Sequence, residues 1–221
     1  MYAKSSSFKL SGLAIVLGIA FLLGSCVTYD YTAFKASRPR SILVMPPVNL
    51  SMDVKAPATF LATSVYPLAE SGYYVIPPTL SDQMFKQNGV TVAEEAWAID
   101  YKRLYDIFGV DSAMYITITG FGASYIVIDS RVTASAEAKL VDLRTGQELW
   151  SGTAYAQSSN NVGSSGGGLL GMVITAAVNQ AINTLSEKAH LTGRDANYHL
   201  LSAGRRGFIL YGPYHPRYQT D

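Results

Sequence analysis

The sequence predicts an α/β fold, a three-layer or two-layer domain with helices packed on a mixed β-sheet that includes one antiparallel β-hairpin. The first observation behind this is a pair of short apolar runs, residues 41–45 and 73–76, each ended by two prolines. A segment with helical spacing separates them, which is the order of a β-α-β unit with parallel strands. The second observation is a later segment with strictly alternating polarity, which predicts the hairpin.

Two helices are predicted around the second of these strands. The first covers residues 57–71, where apolar side chains recur on one face, and Pro67 must kink or cap it. The second covers residues 79–87, with Thr79 or Ser81 as its N-cap.

A third helix is predicted over residues 93–108, with Gly109 as its C-cap. Lys102 and Arg103 are expected near its C-terminal end, where the helix dipole favours positive charge. Its apolar stripe consists of Trp97, Tyr101, Leu104 and Phe108.

The hairpin follows a third strand, predicted at residues 114–119. Residues 130–142 alternate between apolar or small and polar side chains, as in a half-exposed strand. Residues 144–147 supply the turn, and residues 148–157 return alongside.

The C-terminal part is predicted to be mainly helical. Residues 158–168 are low in complexity and are expected to be flexible. A helix begins after them and is expected to break at residues 192–194, with a further helical turn at 196–201. Residues 208–211 predict one short strand.

The N-terminal segment has the layout of a secretory signal peptide. Two lysines give a positively charged N-terminal region, residues 10–23 form the apolar core, and Gly24 and Ser25 are the small residues that precede a cleavage site. The apolar core is short for a membrane span, which needs about 20 apolar residues. We therefore predict that residues 1–25 are removed as a signal peptide.

The single cysteine follows this segment directly. Leu23, Gly24, Ser25 and Cys26 resemble a bacterial lipobox, which has an aliphatic residue, two small residues and then cysteine. The resemblance implies that the Cys26 thiol carries a diacylglycerol, that cleavage precedes it, and that the new N-terminus is acylated. The alternatives are a signal peptide with a coincidental cysteine, or a buried cysteine in a cytosolic protein.

A lipid on Cys26 would be the only attached group, and no other cofactor is expected. Two or more acyl chains anchor a protein stably. Val27 and Thr28 replace the aspartate that retains enteric lipoproteins at the inner membrane, which resembles the outer-membrane class. The predicted organisation is a tether at residues 26–40, a single periplasmic domain at 41–212 and a tail at 213–221.

The composition of the chain limits the classes of function that it can have. Without residues 1–25 the chain keeps fifteen lysines and arginines against sixteen acidic residues, so it lacks the basic face that nucleic-acid binding needs. Charged residues make up only 15% of the chain, and there are 15 tyrosines. Such a surface is typical of proteins that touch other proteins, although tyrosines that cap a sheet edge would give the same composition.

The sequence contains no recognisable catalytic set. His190, His199 and His215 lack metal-ligand spacing, and the glycines that precede the last helix are not followed by the lysine of a phosphate-binding loop. No nucleophile elbow occurs either. We predict that the protein is not an enzyme and binds no metal.

Two stretches carry a family resemblance, LYDIFGVDSAMYITITGFG at residues 104–122 and AKLVDLRTGQELWSGTA at 138–154. With the lipobox, they resemble a bacterial outer-membrane lipoprotein family, filed as a domain of unknown function, that is similar to curli-secretion-associated lipoproteins. The resemblance implies a three-layer α/β domain in an outer-membrane assembly and carries over no active-site residue.

The resulting hypothesis is a periplasmic lipoprotein that serves as an accessory or assembly subunit of an envelope or secretion complex. Its expected partners are outer-membrane lipid, other envelope lipoproteins and further copies of itself. The glycines expected to form an interaction loop, unless their role is purely structural, are Gly163, Gly166, Gly167 and Gly168.

Two further hypotheses stay open. A binding module would hold a small molecule or glycan in a pocket lined by aromatic residues such as Trp97, Tyr101 and Tyr115. A pore subunit would need strands of roughly 9–11 residues, and only residues 130–142 and 148–157 come close.

Overall fold

The computed structural model describes residues 29–126, 129–160 and 174–221, with side chains over 29–122, 132–158 and 186–221. The chain divides into two units, Met1–Asp30 and Tyr31–Asp221, and the fold described below is that of the second. Its helices are α1 (Thr32–Ser37), α2 (Ala56–Thr63), α3 (Val65–Glu70), α4 (Pro78–Gln87), α5 (Ala93–Trp97), α6 (Tyr101–Phe108) and α7 (Ile174–Leu201). Its strands are β1 (Ser41–Val44), β2 (Val48–Asn49), β3 (Tyr74–Val75), β4 (Ser112–Ile126), β5 (Asp129–Asp142) and β6 (Glu148–Asn160).

The six strands form one open mixed sheet in the order β3-β1-β4-β5-β6, with β2 also paired to β4. Strands β1 and β3 pair in parallel, as do β1 and β4 and β2 and β4. The remaining pairs, β4 with β5 and β5 with β6, are antiparallel. The predicted α/β class, β-α-β unit and hairpin are therefore confirmed.

Strand β4 is much longer than the predicted strand at residues 114–119. It continues through Gly120 and Gly122, with an irregularity in its pairing to β5 between Ile118 and Gly120. Glycine fits there because a Cβ on Gly120 would lie 2.7 Å from the Oγ of Ser135. The sheet thus has three strands of 13 residues or more, so the expectation of only two long strands is wrong.

One face of the sheet is covered by α2, α3 and α7. The helix α7 lies across β4, β5 and β6, and the small side chains of Ala134, Ala136 and Ala138 let it approach the sheet. Fully buried large side chains from the sheet and helices, such as Phe60, fill the space between these layers.

The other face is covered only in part. A second buried cluster joins Leu43 and Met45 in and after β1 with Phe85 of α4, Leu104 of α6 and Tyr115 of β4. The domain therefore has three layers beside β1 and the start of β4. Beyond Tyr115 the side chains of this face are polar and largely exposed, so that part has two layers.

The predicted helix over residues 57–71 is split into α2 and α3 at Ser64. The break lies three residues before Pro67 because proline has no N–H to bond the carbonyl of Thr63 and its ring crowds that carbonyl. The second predicted helix begins earlier than expected, with Pro77 rather than Thr79 or Ser81 at its N-cap position.

The predicted helix over residues 93–108 is also two helices, α5 and α6. The Oδ1 of Asp100 accepts the backbone N–H of Lys102 at 2.9 Å and so caps a new helix start. Lys102 and Arg103 consequently lie in the first turn of α6, at the N-terminal end of a helix and not near a C-terminal end as predicted. Gly109 is confirmed as the C-cap, with a left-handed φ of +64°.

The predicted break at residues 192–194 is wrong, because α7 runs without interruption to Leu201. Gly193 serves packing instead, since a Cβ there would lie 2.6 Å from Cε2 of Phe121. The predicted strand at residues 208–211 is also absent from the described chain. This segment is irregular, and it buries Ile209 and Leu210 against the core.

Helix α1 lies within residues 26–40, for which a tether was predicted. Its Phe34 is 3% exposed and belongs to the larger core cluster. The hydroxyl of Tyr31, just before it, donates to the carbonyl of Phe208 at 2.7 Å. The helix was not anticipated because six residues are too few to show a periodic pattern.

Candidate functional site

The residues of the predicted lipobox, with its lipidated cysteine, and of the predicted interaction loop lie outside the described parts of the chain. They are Leu23, Gly24, Ser25 and Cys26 at the N-terminus and Gly163, Gly166, Gly167 and Gly168 before α7. Lipid attachment and the role of these glycines stay predictions.

The first of the two family-like stretches has a structural role. Its Asp111 accepts the backbone N–H of Arg40 at 2.8 Å and so holds the start of β1 beside β4. The Oγ of Ser41 in turn accepts the backbone N–H of Asp111 at 2.9 Å. These contacts join segments 70 residues apart, which explains an aspartate directly before the strand.

The second family-like stretch forms a polar clamp between the sheet and α1. Asp142 is 2% exposed, and its carboxylate accepts hydrogen bonds from the side chain of Arg144 at 2.7 Å and from the hydroxyl of Ser37 at 2.5 Å. Burial alone would raise the pKa of Asp142, but these bonds and the backbone N–H of Arg144 lower the pKa below its usual value.

The aromatic residues proposed to line a pocket pack against the second core cluster. The rings of Trp97 and Tyr115 meet edge to face with centroids 5.2 Å apart, and the indole N–H donates to the carbonyl of Pro46 at 2.9 Å. A Cβ on Gly146 would lie 2.7 Å from the Tyr101 ring, so the hairpin turn rests on that ring.

The three histidines lie apart and have separate neighbours. His190 lies 3.2 Å from the hydroxyl of Thr59, His199 lies 3.2 Å from the Arg205 guanidinium, and the ring of His215 stacks on Tyr211. Within the described ranges, no three metal-binding side chains come close enough to hold an ion. No helix in those ranges is both long enough and apolar enough to cross a membrane.

The most unusual surface feature is a loop of alternating polarity after β2, residues 50–54, which we call the apolar loop. Leu50 is 66% exposed, Met52 is 99% exposed and Val54 is 88% exposed. Single exposed apolar residues are common on proteins, whereas a cluster of them indicates a binding surface.

Hydrogen bonds fix the shape of the apolar loop. The Oδ1 of Asn49 accepts from the backbone N–H of Ser51 at 3.0 Å and from its hydroxyl at 2.7 Å. The Nδ2 of Asn49 donates to the carbonyl of Asp53 at 2.9 Å, and Asp53 accepts the N–H of Lys55 at 2.8 Å. The polar side chains thus bond to the loop itself and leave the apolar ones in solvent.

A second apolar feature is a groove between α4 and α6, which we call the α4–α6 groove. It has a volume of about 490 Å³. Phe85 and Phe108 form part of its wall, with ring centroids 5.4 Å apart, and Ile107 at its mouth is 48% exposed. Asp100 and Arg103 add one charge of each sign.

A third feature is the uncovered part of the sheet. Its exposed residues include Glu137, Lys139, Thr153 and Tyr155. The ammonium group of Lys139 lies 5.5 Å from the centroid of the Tyr115 ring, where the helical layer ends. In the described part of the chain, no strand pairs with the outer edge of β6.

The exposed side chains of residues 50–54 were not predicted from the sequence. The available signal was the alternation of Leu50, Met52 and Val54 with polar residues. That pattern also fits a half-buried strand, so the sequence alone does not distinguish an exposed loop from one packed on the sheet.

Comparison with known proteins identifies a family and similar proteins within it. The family described as "Putative lipoprotein GNA1162-like" matches residues 29–214. A Neisseria meningitidis serogroup B (strain ATCC BAA-335 / MC58) protein, "Putative lipoprotein NMB1124/NMB1162", is 45% identical over 203 residues, covering 91% of this chain and 94% of the relative. The crystal structure of lipoprotein GNA1162 from Neisseria meningitidis is 48% identical with a TM-score of 0.54, covering 66% of this chain and 99% of that one.

A weaker structural likeness is to the PelC dodecamer from Paraburkholderia phytofirmans. The two chains are 14% identical with a TM-score of 0.41, over 75% of this chain and 91% of that one.

Proposed function

This chain belongs to the "Putative lipoprotein GNA1162-like" family, and on that premise we propose that it is an outer-membrane-anchored periplasmic lipoprotein acting as a non-enzymatic accessory or assembly subunit of an envelope complex. The prediction of a lipoprotein family is confirmed by the matches. The proposal adds three points to the family assignment: the residue that carries the lipid, the membrane that holds it and the role of the protein in an envelope complex.

The lipobox supports Cys26 as the anchor. Leu23, Gly24 and Ser25 precede it in the required order, after a short apolar core. Four residues of sequence, 27–30, separate Cys26 from Tyr31, where the folded unit begins. A lipid-anchored domain is suited to contacts with other proteins of the same membrane.

The observation that carries the assembly role is the apolar loop. Met52 and Val54 are almost fully exposed on a loop fixed by its own hydrogen bonds. Keeping such side chains in water is unfavourable by about 25 cal/mol per Å² of apolar surface. A pre-shaped apolar protrusion of this kind favours a protein-binding role, because contact with a partner would cover it.

Lipid attachment is tested by labelling cells with radioactive palmitate. The wild-type chain should incorporate label and sediment with the outer membrane on a density gradient, and Cys26→Ser should do neither. Ser25→Ala keeps a small residue before the cysteine and serves as the matched control, which should still be labelled. An unlabelled wild-type chain would contradict the anchor.

The assembly role is tested by extracting the native protein in mild detergent and measuring the mass of the complex. We expect a defined complex that contains other envelope proteins or further copies of this chain, and we expect it to be lost for Cys26→Ser. A protein that is always recovered alone and monomeric would overturn the role while leaving the lipid anchor intact.

A further inference from the structure

We propose that the outer edge of β6 pairs with β6 of a second copy of this chain, antiparallel and about a two-fold axis at Tyr155, so that the two sheets become continuous. The proposal deepens the assembly role by naming a partner and a contact. It rests on the proposed function only for holding both copies at one membrane, since residues of the folded domain make the contact itself.

The outer side of β6 offers backbone groups for such pairing. Strand β6 lies at the end of the strand order in the described chain, and half of its N–H and C=O groups point away from β5. Helix α1, which contacts β6, is bonded to Asp142 and Arg144 just before the strand begins. The open part is therefore the later one, residues 152–158, which we call the open edge.

This edge lacks the devices that normally prevent identical sheets from pairing. Such devices are prolines, charged side chains, bulges and very short strands. Residues 149–160 read LWSGTAYAQSSN, without a proline or a charged residue, and the open edge pairs with β5 in a regular register. The opposite edge of the sheet is protected, since β3 is two residues long and is followed by Ile76, Pro77 and Pro78.

The missing protection identifies the partner as a second copy. In a contact about a two-fold axis a strand faces itself, so a charged residue near the axis meets a like charge. A strand that selects a different protein gains specificity from charges that match that partner and repel its own copies. The uncharged residues 149–160 remove this repulsion and offer no charge pattern to another partner, which is the composition that pairing with an identical strand requires.

Symmetry restricts how the two strands align. Residues that lie opposite each other in an antiparallel pair point to the same face of the sheet, so the exposed side chains of one copy must meet those of the other. Tyr155 is the middle residue of the open edge. With Tyr155 on the axis, Thr153 lies opposite Gln157, and both are exposed. Ala154 then lies opposite Ala156, and both pack against the larger core cluster.

This alignment also covers an exposed aromatic side chain. Tyr155 is 60% exposed in the single chain. On the axis its ring lies beside the Tyr155 ring of the second copy, and aromatic pairs across neighbouring strands are favourable. The main-chain hydrogen bonds supply the affinity of strand addition, and the matched faces supply its register.

The test is disulfide cross-linking of full-length copies in native membranes, with copper phenanthroline as the oxidant. Tyr155→Cys should give a linked dimer, because opposite Cα atoms of an antiparallel pair lie about 4.5–5.5 Å apart, within the range of a disulfide. Thr153→Cys, on the same face of the same strand, is the matched control. Its two copies would lie about 14 Å apart along the strands, so it should give at least tenfold less dimer.

Mixing two differently tagged variants tests the alignment. Thr153→Cys and Gln157→Cys should link to each other in a product that carries both tags, and neither should link to itself. The wild-type chain, whose single cysteine is Cys26, reports any linkage through that residue. Equal linkage of Tyr155→Cys and Thr153→Cys, or no linkage of Tyr155→Cys, would overturn the proposal.

A charge on the axis provides a test that needs no cross-link. Tyr155→Lys places two ammonium groups against each other, so the amount of dimer recovered in mild detergent should fall at least about fivefold while circular dichroism shows an unchanged fold. Tyr214→Lys, at a position that is 70% exposed, is the control and should leave the dimer intact. An unchanged dimer in Tyr155→Lys would reject the pairing, and palmitate labelling of the same cells reports on the anchor independently.

Discussion

The carboxylate of Asp142 and the guanidinium of Arg144 form an ion pair at 2.7 Å, and both bind Ser37 at the end of α1. Asp142 is almost fully buried, whereas the Arg144 side chain is 40% exposed. The pair closes the hairpin turn and ties the N-terminal helix to the sheet.

We expect Asp142→Asn to lower the free energy of unfolding by about 2 kcal/mol, because hydrogen bonds to a charged group are lost. The pKa of Asp142 is lowered in the fold, so its contribution is present above about pH 4, the unfolded value, and is lost as pH falls through the folded value. Urea unfolding from pH 7 to pH 2 should therefore show a shallower acid limb in the variant.

Asp82→Asn is the control for this measurement. Asp82 pairs with Lys86 one helical turn away at 2.6 Å, but both side chains are exposed, so the change should cost less than about 0.5 kcal/mol. Equal losses for the two variants would show that the clamp adds nothing beyond a surface ion pair.

The contact between Gly193 and Phe121 makes a second prediction. Glycine to alanine inside a helix usually stabilises by up to about 1 kcal/mol. Here a Cβ would lie 2.6 Å from the Phe121 ring and 3.1 Å from Cγ2 of Thr59, so we expect Gly193→Ala to destabilise by about 1–3 kcal/mol.

Thermal unfolding of a double-mutant cycle checks the origin of that cost. Adding Phe121→Leu to Gly193→Ala removes the ring edge and should recover part of the stability relative to the sum of the single changes. Purely additive losses would mean that the ring does not limit the approach of α7.

Patterns that depend on local sequence could be predicted, and contacts across the chain could not. The prolines after β1 and β3 and the alternation in β5 identify strands because their physical causes are local. The continuity of α7 through Gly193 could not be foreseen, because that glycine is explained by Phe121, which lies 72 residues earlier.

The candidate functional features also differ in whether they depend on local sequence or on contacts between distant residues. Cys26 follows from a contiguous motif, so the sequence suffices to predict it. The α4–α6 groove does not follow from the sequence, since it depends on the contact of Phe85 with Phe108 across two helices and on a helix start at Asp100 that interrupts the predicted helix. The exposure of Met52 likewise depends on what the rest of the fold leaves uncovered.

The buried amide of Asn197 makes a third prediction. The two N–H bonds of its Nδ2 face three acceptors, the carbonyl of Phe60 at 2.8 Å, the hydroxyl of Thr63 at 2.9 Å and the hydroxyl of Ser64 at 3.1 Å. These are groups at the end of α2, where the helix is interrupted ahead of Pro67. Asn197 therefore satisfies polar atoms that this interruption exposes.

We expect Asn197→Ala to reduce stability by about 1–3 kcal/mol, the cost of losing these buried hydrogen bonds. Asn197→Asp should be worse at neutral pH, since it places a buried carboxylate against the Phe60 carbonyl. Chemical denaturation of both variants measures which of them has the lower unfolding free energy. An aspartate variant as stable as wild type would contradict the assignment of Nδ2 as the donor.

Tyr73 makes the last prediction, which concerns alkaline stability. Its hydroxyl donates to the carbonyl of Leu210 at 2.5 Å and is buried. Burial raises the pKa of Tyr73 well above its usual value, and the charges of Asp221 and Tyr218 add to this. As pH rises above about 10, the unfolded chain loses this proton while the folded chain keeps it, so stability falls.

Tyr73→Phe should cost about 1 kcal/mol at pH 7 through the lost hydrogen bond, and it should flatten the decline in unfolding free energy between pH 9 and pH 11. Tyr214→Phe, at a position that is 70% exposed, should leave both the neutral value and the decline unchanged. A parallel decline in the unfolding free energies of Tyr73→Phe and wild type between pH 9 and pH 11 would contradict this prediction. The alkaline loss of stability would then come from other tyrosines, and the Tyr73 hydroxyl would not hold the segment after α7.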